Sequence, residues 1–527
     1  VAVSELHEWS ASAVAEAIRT GQVSAAEAVN ASIARIDAQD PAVNAVVSRR
    51  FEQARQEATR ADARRAAGEP LGPLHGVPMT IKDQFLVEGL PCTLGLAGWK
   101  DRVAPADGPL VGRLRAAGAI VVGKGNVMQL LLGWECENPL FGRTTNPWSA
   151  DRTPGGSSGG DAAAVAYGGV PLALGGDFGG SLRVPAAFCG VTTLKTTGGR
   201  LTPLDTPTEP YAPQEAVIPQ AGPLARSVAD LALALRVLAA PGQERFDPGI
   251  PPVAWREPGD EPLRVGVSDD NGLFPVSPAI RKAVDRAAKA LAGAGARVEP
   301  VRGVDGDRSV RLFLQLAASD GFRRAARVVQ GEQLFAPLAG NLRLAGMPHW
   351  LSGLVSRGMG LAGRARTARL LATDRPADPG AYFEALGDRA AFRAEVLAEW
   401  DRAGVDVLLC PVVGTPAFRH GASEHLIDAA SYAFAFNVLG FPAGVVPVGF
   451  VAAEDEPGRP ASADPGDRAA AEGDRGSAGL PVAVQIVGRP WEEHRVLAVM
   501  AALEAALGGP GRWPLPAPAA EAPRTAR

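Results

Sequence analysis

The segment from Thr153 to Lys195, TPGGSSGGDAAAVAYGGVPLALGGDFGGSLRVPAAFCGVTTLK, constrains the fold more than any other part of the chain. It presents two glycine-flanked serines, Ser157 and Ser181, with small residues of helical character between them. Glycines beside a serine let the backbone approach a ligand closely and take positive φ, so such loops display hydroxyls and amide N–H groups. Few structural needs explain two such loops in one short stretch. In the second, Phe178-Gly179-Gly180-Ser181 is able to aim consecutive N–H groups at one point, the geometry an oxyanion requires.

Loops of this kind need a rigid frame, and the rest of the chain supplies one. From residue 77 onward short apolar runs alternate with helical patterns: VPMTI (77–81), AIVVG (119–123), LRVGV (263–267), DVLLCPVV (406–413), AGVVPVGF (443–450) and PVAVQIVG (481–488). This alternation predicts an α/β fold around one buried, largely parallel or mixed sheet. Ser24 followed by Glu27 reads as a capping box opening a helix whose Val29, Ile33 and Ile36 share a face. Residues 454–478 are charged, rich in Pro and Gly and poor in apolar side chains, which predicts a flexible surface insertion between two strands. The tail 509–527 is expected to be disordered. In 336–372, Trp350, Leu351, Leu354, Val355 and Met359 recur at helical spacing beside Arg357, Arg364, Arg366 and Arg369. That stripe is either an amphipathic element dipping into a membrane surface or a helical pair packed on the body of the protein, its arginines solvated.

A serine hydroxyl is a poor nucleophile without a base, and the usual base is histidine. The six histidines are scattered, and none sits in a motif. Lysine serves instead where burial lowers its pKa, because desolvation disfavours the ammonium form. Lys82, which ends the run VPMTI, meets that demand, although a strand-end lysine also commonly snorkels to the surface. Four cysteines without Cys-x-x-Cys spacing suggest reduced core thiols and neither a zinc site nor a disulfide framework. With 53 basic against 57 acidic side chains and no basic stripe, no nucleic-acid partner is expected. The opening VAVSELHEW has no apolar core and does not read as a signal peptide. No uninterrupted apolar run approaches the ~18 residues that span a bilayer. The expectation is a cytoplasmic protein, with peripheral membrane association left open.

GGSSGG, the serine of DFGGSLRVPAAFCG 24 residues after Ser157, and the upstream GVPMTIKD together resemble the amidase signature family in residue type, order and spacing. The resemblance implies one large domain over residues 1–508, with a central mixed β-sheet flanked by helices. It implies Lys82 as the base, Ser157 as the bridging serine after a cis Gly156–Ser157 peptide, and Ser181 as the nucleophile. The backbone N–H groups of Phe178, Gly179, Gly180 and Ser181 would form the oxyanion hole. The implied reaction is hydrolysis of a carboxylic amide through an acyl-enzyme, with no metal and no organic cofactor. Within the family, CTLGL (92–96), CENPLFGRTTNPW (136–148), FNVLGFPAGVVPV (436–448), AEDE (453–456) and GLPVAVQ (479–485) look like the fatty-acid amide hydrolase branch. That likeness implies a hydrophobic or fatty-acid amide as substrate, and a membrane-contacting cap at 336–372. It also implies Leu131, Leu132, Phe178 and Trp491 as apolar candidates for the substrate site, and a homodimer. Gly176, Gln84 and Thr196 depart from the family's usual Thr, Asn and Pro, around the triad and not within it.

Other motifs fare less well. GGSSG also fits the nucleophile elbow G-x-S-x-G, but that motif needs a strand immediately before it, and turn-rich NPWSADRTP stands there. Gly118 to Lys124 nearly matches a P-loop, yet Gly125 follows where Ser or Thr is needed. A small aliphatic or aryl amidase, an esterase and the glutaminase subunit of a transamidating complex remain open within the same fold. A non-catalytic binding protein would be expected to lack a triad residue, and all three are present.

Overall fold

Runs rich in Val, Ile and Leu suit strands covered on both faces, and each of the six apolar runs named above contributes a strand. The computed structural model describes residues 3–207, 215–259, 262–345, 349–372, 379–456, 458–511 and 514–516. Among them the strands are β1 (Val46–Arg49), β2 (Pro78–Lys82), β3 (Ile120–Gly125), β4 (Glu137–Asn138), β5 (Gly142–Arg143), β6 (Leu172–Asp177) and β7 (Thr192–Lys195). There follow β8 (Gln220–Ala225), β9 (Arg264–Val267), β10 (Arg297–Pro300), β11 (Val407–Pro411), β12 (Ala443–Phe450) and β13 (Pro481–Gly488). Strands β4 and β5 form a separate ribbon, and the other eleven make one sheet in the order β1-β3-β2-β6-β8-β7-β12-β13-β11-β9-β10. The sheet is mixed: β3, β2 and β6 run parallel, as do β11, β9 and β10, while β6–β8, β8–β7, β7–β12, β12–β13 and β13–β11 are antiparallel.

Helices flank this sheet. Val228–Leu238, Pro278–Gly293 and Glu493–Ala506 pack on β8, β12 and β13, and Glu493–Ala506 packs against the other two. Gly159–Ala166 packs on β2, β3 and β6, and Arg183–Cys189 on β7, β12 and β13. Every residue of Gly159–Ala166 is buried, since Gly and Ala side chains allow a helix to lie close to its neighbours. The capping box is present: Ser24 and Glu27 exchange hydrogen bonds at the start of Ala25–Val43. All four cysteines are buried. No helix among the described residues is long and apolar enough to cross a membrane.

The segment 454–478 differs from its expectation. It does connect β12 to β13, but it holds a helix, Pro465–Asp474, N-capped by Asp464. Its charges find partners: Arg459 pairs with Asp474 within the segment at 2.6 Å, and from far along the chain Arg366 reaches Asp467 at 2.7 Å and Lys282 reaches Asp455. Composition suggested flexibility because it does not reveal partners distant in sequence. Residue 457 lies outside the described residues, as do 346–348 of the stripe at 336–372 and 512–513 and 517–527 of the tail. The stripe forms helices Ala336–Ala345, His349–Leu361 and Ala365–Ala372. Leu354 and Leu361 are exposed. Arg366 and Arg369 are not free in solvent: Arg366 reaches Asp467 at 2.7 Å, and Arg369 reaches Asp307 at 2.8 Å and also Asp428.

Candidate active site

Parallel strands in an α/β sheet gather functional groups at their carboxyl ends, and β2 and β6 are parallel neighbours. Lys82 is the last residue of β2 and Asp177 the last of β6, so the turn carrying Ser181 begins beside the lysine. Lys82 Nζ donates to Ser157 Oγ at 2.8 Å and to the Gly176 carbonyl at 3.3 Å. The Gly156–Ser157 peptide is cis. A side chain at Gly156 is excluded, because its Cβ would lie 1.8 Å from the carbonyl oxygen of Glu135. The two serine turns touch: the N–H of Ser158 donates to the Ser181 carbonyl at 3.2 Å. Lys82, Ser157 and Ser181 are all buried. Burial pushes Lys82 down from its ordinary value near 10.5 to about 7, while Asp161, Asp177 and Cys136 pull the other way.

The Ser181 turn is held by an ion pair that the sequence reading missed. Arg183 and Asp177, both fully buried, are joined at 3.0 and 3.1 Å. The carboxylate also accepts the N–H groups of Gly180 at 2.8 Å and Leu182 at 3.2 Å, and the amide of Asn437 at 2.8 Å. The guanidinium reaches on to Asn437 at 2.6 Å and Gln485 at 3.1 Å. Burial raises the Asp177 carboxyl, but the charge and hydrogen bonds of Arg183, helped by Lys195 and Asn437, outweigh it and hold the group well below the usual carboxylate range. One expected oxyanion donor is thereby spent, since the Gly180 N–H points to Asp177. The N–H groups of Phe178, Gly179 and Ser181 have no acceptor among the described residues.

Aromatic side chains border the turn. Trp134 Nε1 donates to the Gly179 carbonyl at 3.0 Å, and a Cβ on Gly179 would lie 2.9 Å from the rings of both Phe313 and Phe434. Phe313 stacks on Phe434 with centroids 4.0 Å apart, Trp134 meets Phe434 at 5.2 Å and Phe178 meets Phe313 at 5.5 Å. Of the other apolar candidates, Leu132 packs with Leu96, Leu130 and Leu338, the last from the helix Ala336–Ala345. Leu131 is half-buried beside it, with φ of 57°. Trp491 makes its contacts elsewhere: its ring lies 5.0 Å from the Arg200 guanidinium, and its N–H donates to Thr197 Oγ1 at 2.8 Å. Among the described residues no group of three or more His, Cys, Asp or Glu side chains is arranged to hold a metal ion.

Known proteins share this arrangement of chain and fold. Fatty-acid amide hydrolase 1 of Sus scrofa is 37% identical over 451 residues, 84% of this chain and 77% of its own length. A glutamyl-tRNA(Gln) amidotransferase subunit of Roseiflexus sp. (strain RS-1) is 33% identical over 509 residues, 94% of this chain and 95% of its own. A solved fatty acid amide hydrolase has the same fold, with TM-score 0.84 at 24% identity over 96% of this chain and 86% of that one. A bacterial aryl acylamidase of the amidase signature enzymes gives TM-score 0.74 at 27% identity over 95% of this chain and 96% of its own. The Amidase family model matches residues 27–497, and the chain belongs to that family.

Proposed function

We propose that the protein hydrolyses a hydrophobic carboxylic amide through an acyl-enzyme on Ser181, with Ser157 and Lys82 relaying the proton. The observation that carries this reading is the buried Lys82–Ser157 contact at 2.8 Å, made by a lysine whose burial leaves it half neutral near pH 7. With the lysine neutral, the same contact runs with the Ser157 hydroxyl as donor. Lys82 takes the proton of Ser157, Ser157 takes that of Ser181, and Ser181 Oγ attacks the amide carbonyl carbon. Ser181 Oγ has no hydrogen bond among the described residues, and catalytic contacts of this kind often tighten only around substrate. The N–H groups of Phe178, Gly179 and Ser181, which have no acceptor among the described residues, would hold the oxyanion, where a single donor is worth ~3 kcal/mol. Collapse of the adduct breaks the C–N bond as the proton returns along the relay to the leaving amine. Water then repeats the cycle to release the acid and free Ser181.

The aromatic border of Trp134, Phe178, Phe313 and Phe434 favours an apolar acyl group, and the relatedness to a fatty-acid amide hydrolase agrees with it. Leu132 packs on a separate apolar cluster that includes Leu338 of the helix Ala336–Ala345. Exposed Leu354 and Leu361 on the helices of 336–372 would serve a contact with a membrane surface. The second reading, a glutaminase working with a partner protein, draws on the 33% identity to the glutamyl-tRNA(Gln) amidotransferase component. Initial rates of wild-type and Ser181→Ala protein on amides of increasing acyl length separate the two. The rate is expected to climb with chain length and vanish in the variant, together with labelling by a fluorophosphonate probe. Turnover of glutamine alone, dependent on a second protein, would move the assignment to the glutaminase, and labelling of Ser181→Ala would refute the nucleophile.

A further inference from the structure

Asp161 is a buried charge that the relay leaves without a task. It stands in the first turn of Gly159–Ala166, four positions after Ser157, and is inaccessible to solvent. Thr80 and Lys82 are two apart on β2, so their side chains leave the same face, and Thr80 Oγ1 donates to Asp161 Oδ1 at 2.8 Å. The register of β2 with β3 pairs Lys82 with Gly125. The Asp161 carboxylate lies over that glycine, where a Cβ would come within 2.4 Å of Oδ2 and 2.5 Å of Oδ1. Adjacent strands are about 4.8 Å apart, so the carboxylate sits one strand away from the lysine backbone. Oδ2, though buried, has no hydrogen-bond partner among the described residues. A buried carboxylate so placed is costly unless a cation lies near it, and Lys82, one strand away and not in direct ion-pair contact, is the cation whose charge reaches Asp161.

The other charges nearby are already matched. Asp83, the residue after Lys82, pairs with Lys124 of β3 at 2.8 Å. Asp177 at the end of β6 spends its charge on Arg183. Cys136 stays a neutral thiol, because burial pushes it up to about 12. Asp161 is therefore the carboxylate around Lys82 that has no cation of its own.

We propose that Asp161 is a positioning residue of the relay: its carboxylate, anchored by Thr80 and seated over Gly125, holds the proton on Lys82, so that the pair and not the lysine alone decides when the base is free. The inference rests on the relay proposed above. Burial carries the Asp161 carboxyl up to about 7, the same range as the lysine, so the two titrate together and the lysine's acid limb belongs to the pair.

Asp161→Asn keeps the shape and an oxygen for Thr80 but removes the charge. The acid limbs of kcat/KM and of the fluorophosphonate labelling rate are then expected to move to lower pH by about one unit. Thr80→Val removes the anchor that favours the charged carboxylate and is expected to move both limbs in the same direction by less. Limbs that stay in place or move to higher pH in folded Asp161→Asn overturn the proposal; if that variant does not fold, unmoved limbs in Thr80→Val do so. Failure of the relay itself would show separately, as undiminished labelling of Ser181→Ala or Lys82→Ala.

Discussion

Replacing Lys82 with methionine keeps most of the side chain's length and volume, abolishes its charge, and is expected to give an inactive protein that is more stable at neutral pH. Burial lowers the lysine from 10.5 to about 7, against the pull of Asp161 and Asp177. In the unfolded chain it keeps its ordinary value. Between pH 7 and 10.5 the unfolded state therefore binds more protons than the folded state, and wild-type stability rises with pH across that window. Below pH 7 the lysine is charged in both states and the penalty is fully present. At about 1.4 kcal/mol per pH unit, the penalty at pH 7 is about 4 kcal/mol. Two losses offset its removal: Ser157 gives up its 2.8 Å partner, about 1 kcal/mol, and Asp161, already raised to about 7, takes up a proton once the cation is gone, at a cost of roughly another 1 kcal/mol. The variant should be about 2 kcal/mol more stable at pH 7 and no more stable, or less so, at pH 10. Chemical denaturation of both proteins at the two pH values measures this. A variant less stable than wild type at pH 7, or a gap equal at both pH values, would refute the reasoning.

Two further perturbations probe the surroundings. Arg183→Lys cannot bridge Asp177, Asn437 and Gln485 at once, so the Ser181 turn loosens; kcat should fall about 10- to 100-fold with little change in KM, as steady-state kinetics would show. Arg366→Ala cuts the ties from Ala365–Ala372 to Asp467 and Asp428. Limited proteolysis should then cleave between 349 and 372 faster than in wild type, with the rest of the chain unchanged.

What was legible in the sequence follows from how local each signal is. Uninterrupted apolar runs announce β2, β3, β12 and β13, and the spacing of Ser157 and Ser181 announces the two turns. Strands β6 and β8, LALGGD and QAGPLA, carry glycine and proline that argue against a strand. They tolerate them because Ser158 and Leu182 press on Gly175 and Leu194 on Gly222, leaving no room for a larger residue. The hub at Arg183 was out of reach because its partners Asn437 and Gln485 lie 254 and 302 positions away. Asp161 did leave a trace, a lone acid in the small-residue run GGDAAAVA, where a solvated charge has no reason to be. The charged segment 454–478 is ordered for a related reason: Asp455 and Asp467 are met by Lys282 and Arg366 from far along the chain, and Arg459 meets Asp474 within the segment.

The strand that completes the sheet is the last to be made. β13 occupies the eighth place of eleven, between β12 and β11, and its Gln485 receives the guanidinium that steadies the Ser181 turn. During synthesis the gap between β12 and β11 stays open, and Arg183 lacks one of its anchors, until that strand arrives. A chain released before residue 485 would carry Lys82, Ser157 and Ser181 in sequence yet not in working order. Amide cleavage is therefore expected to be withheld from chains that end before β13, whereas chains that end after it keep the Arg183–Gln485 anchor.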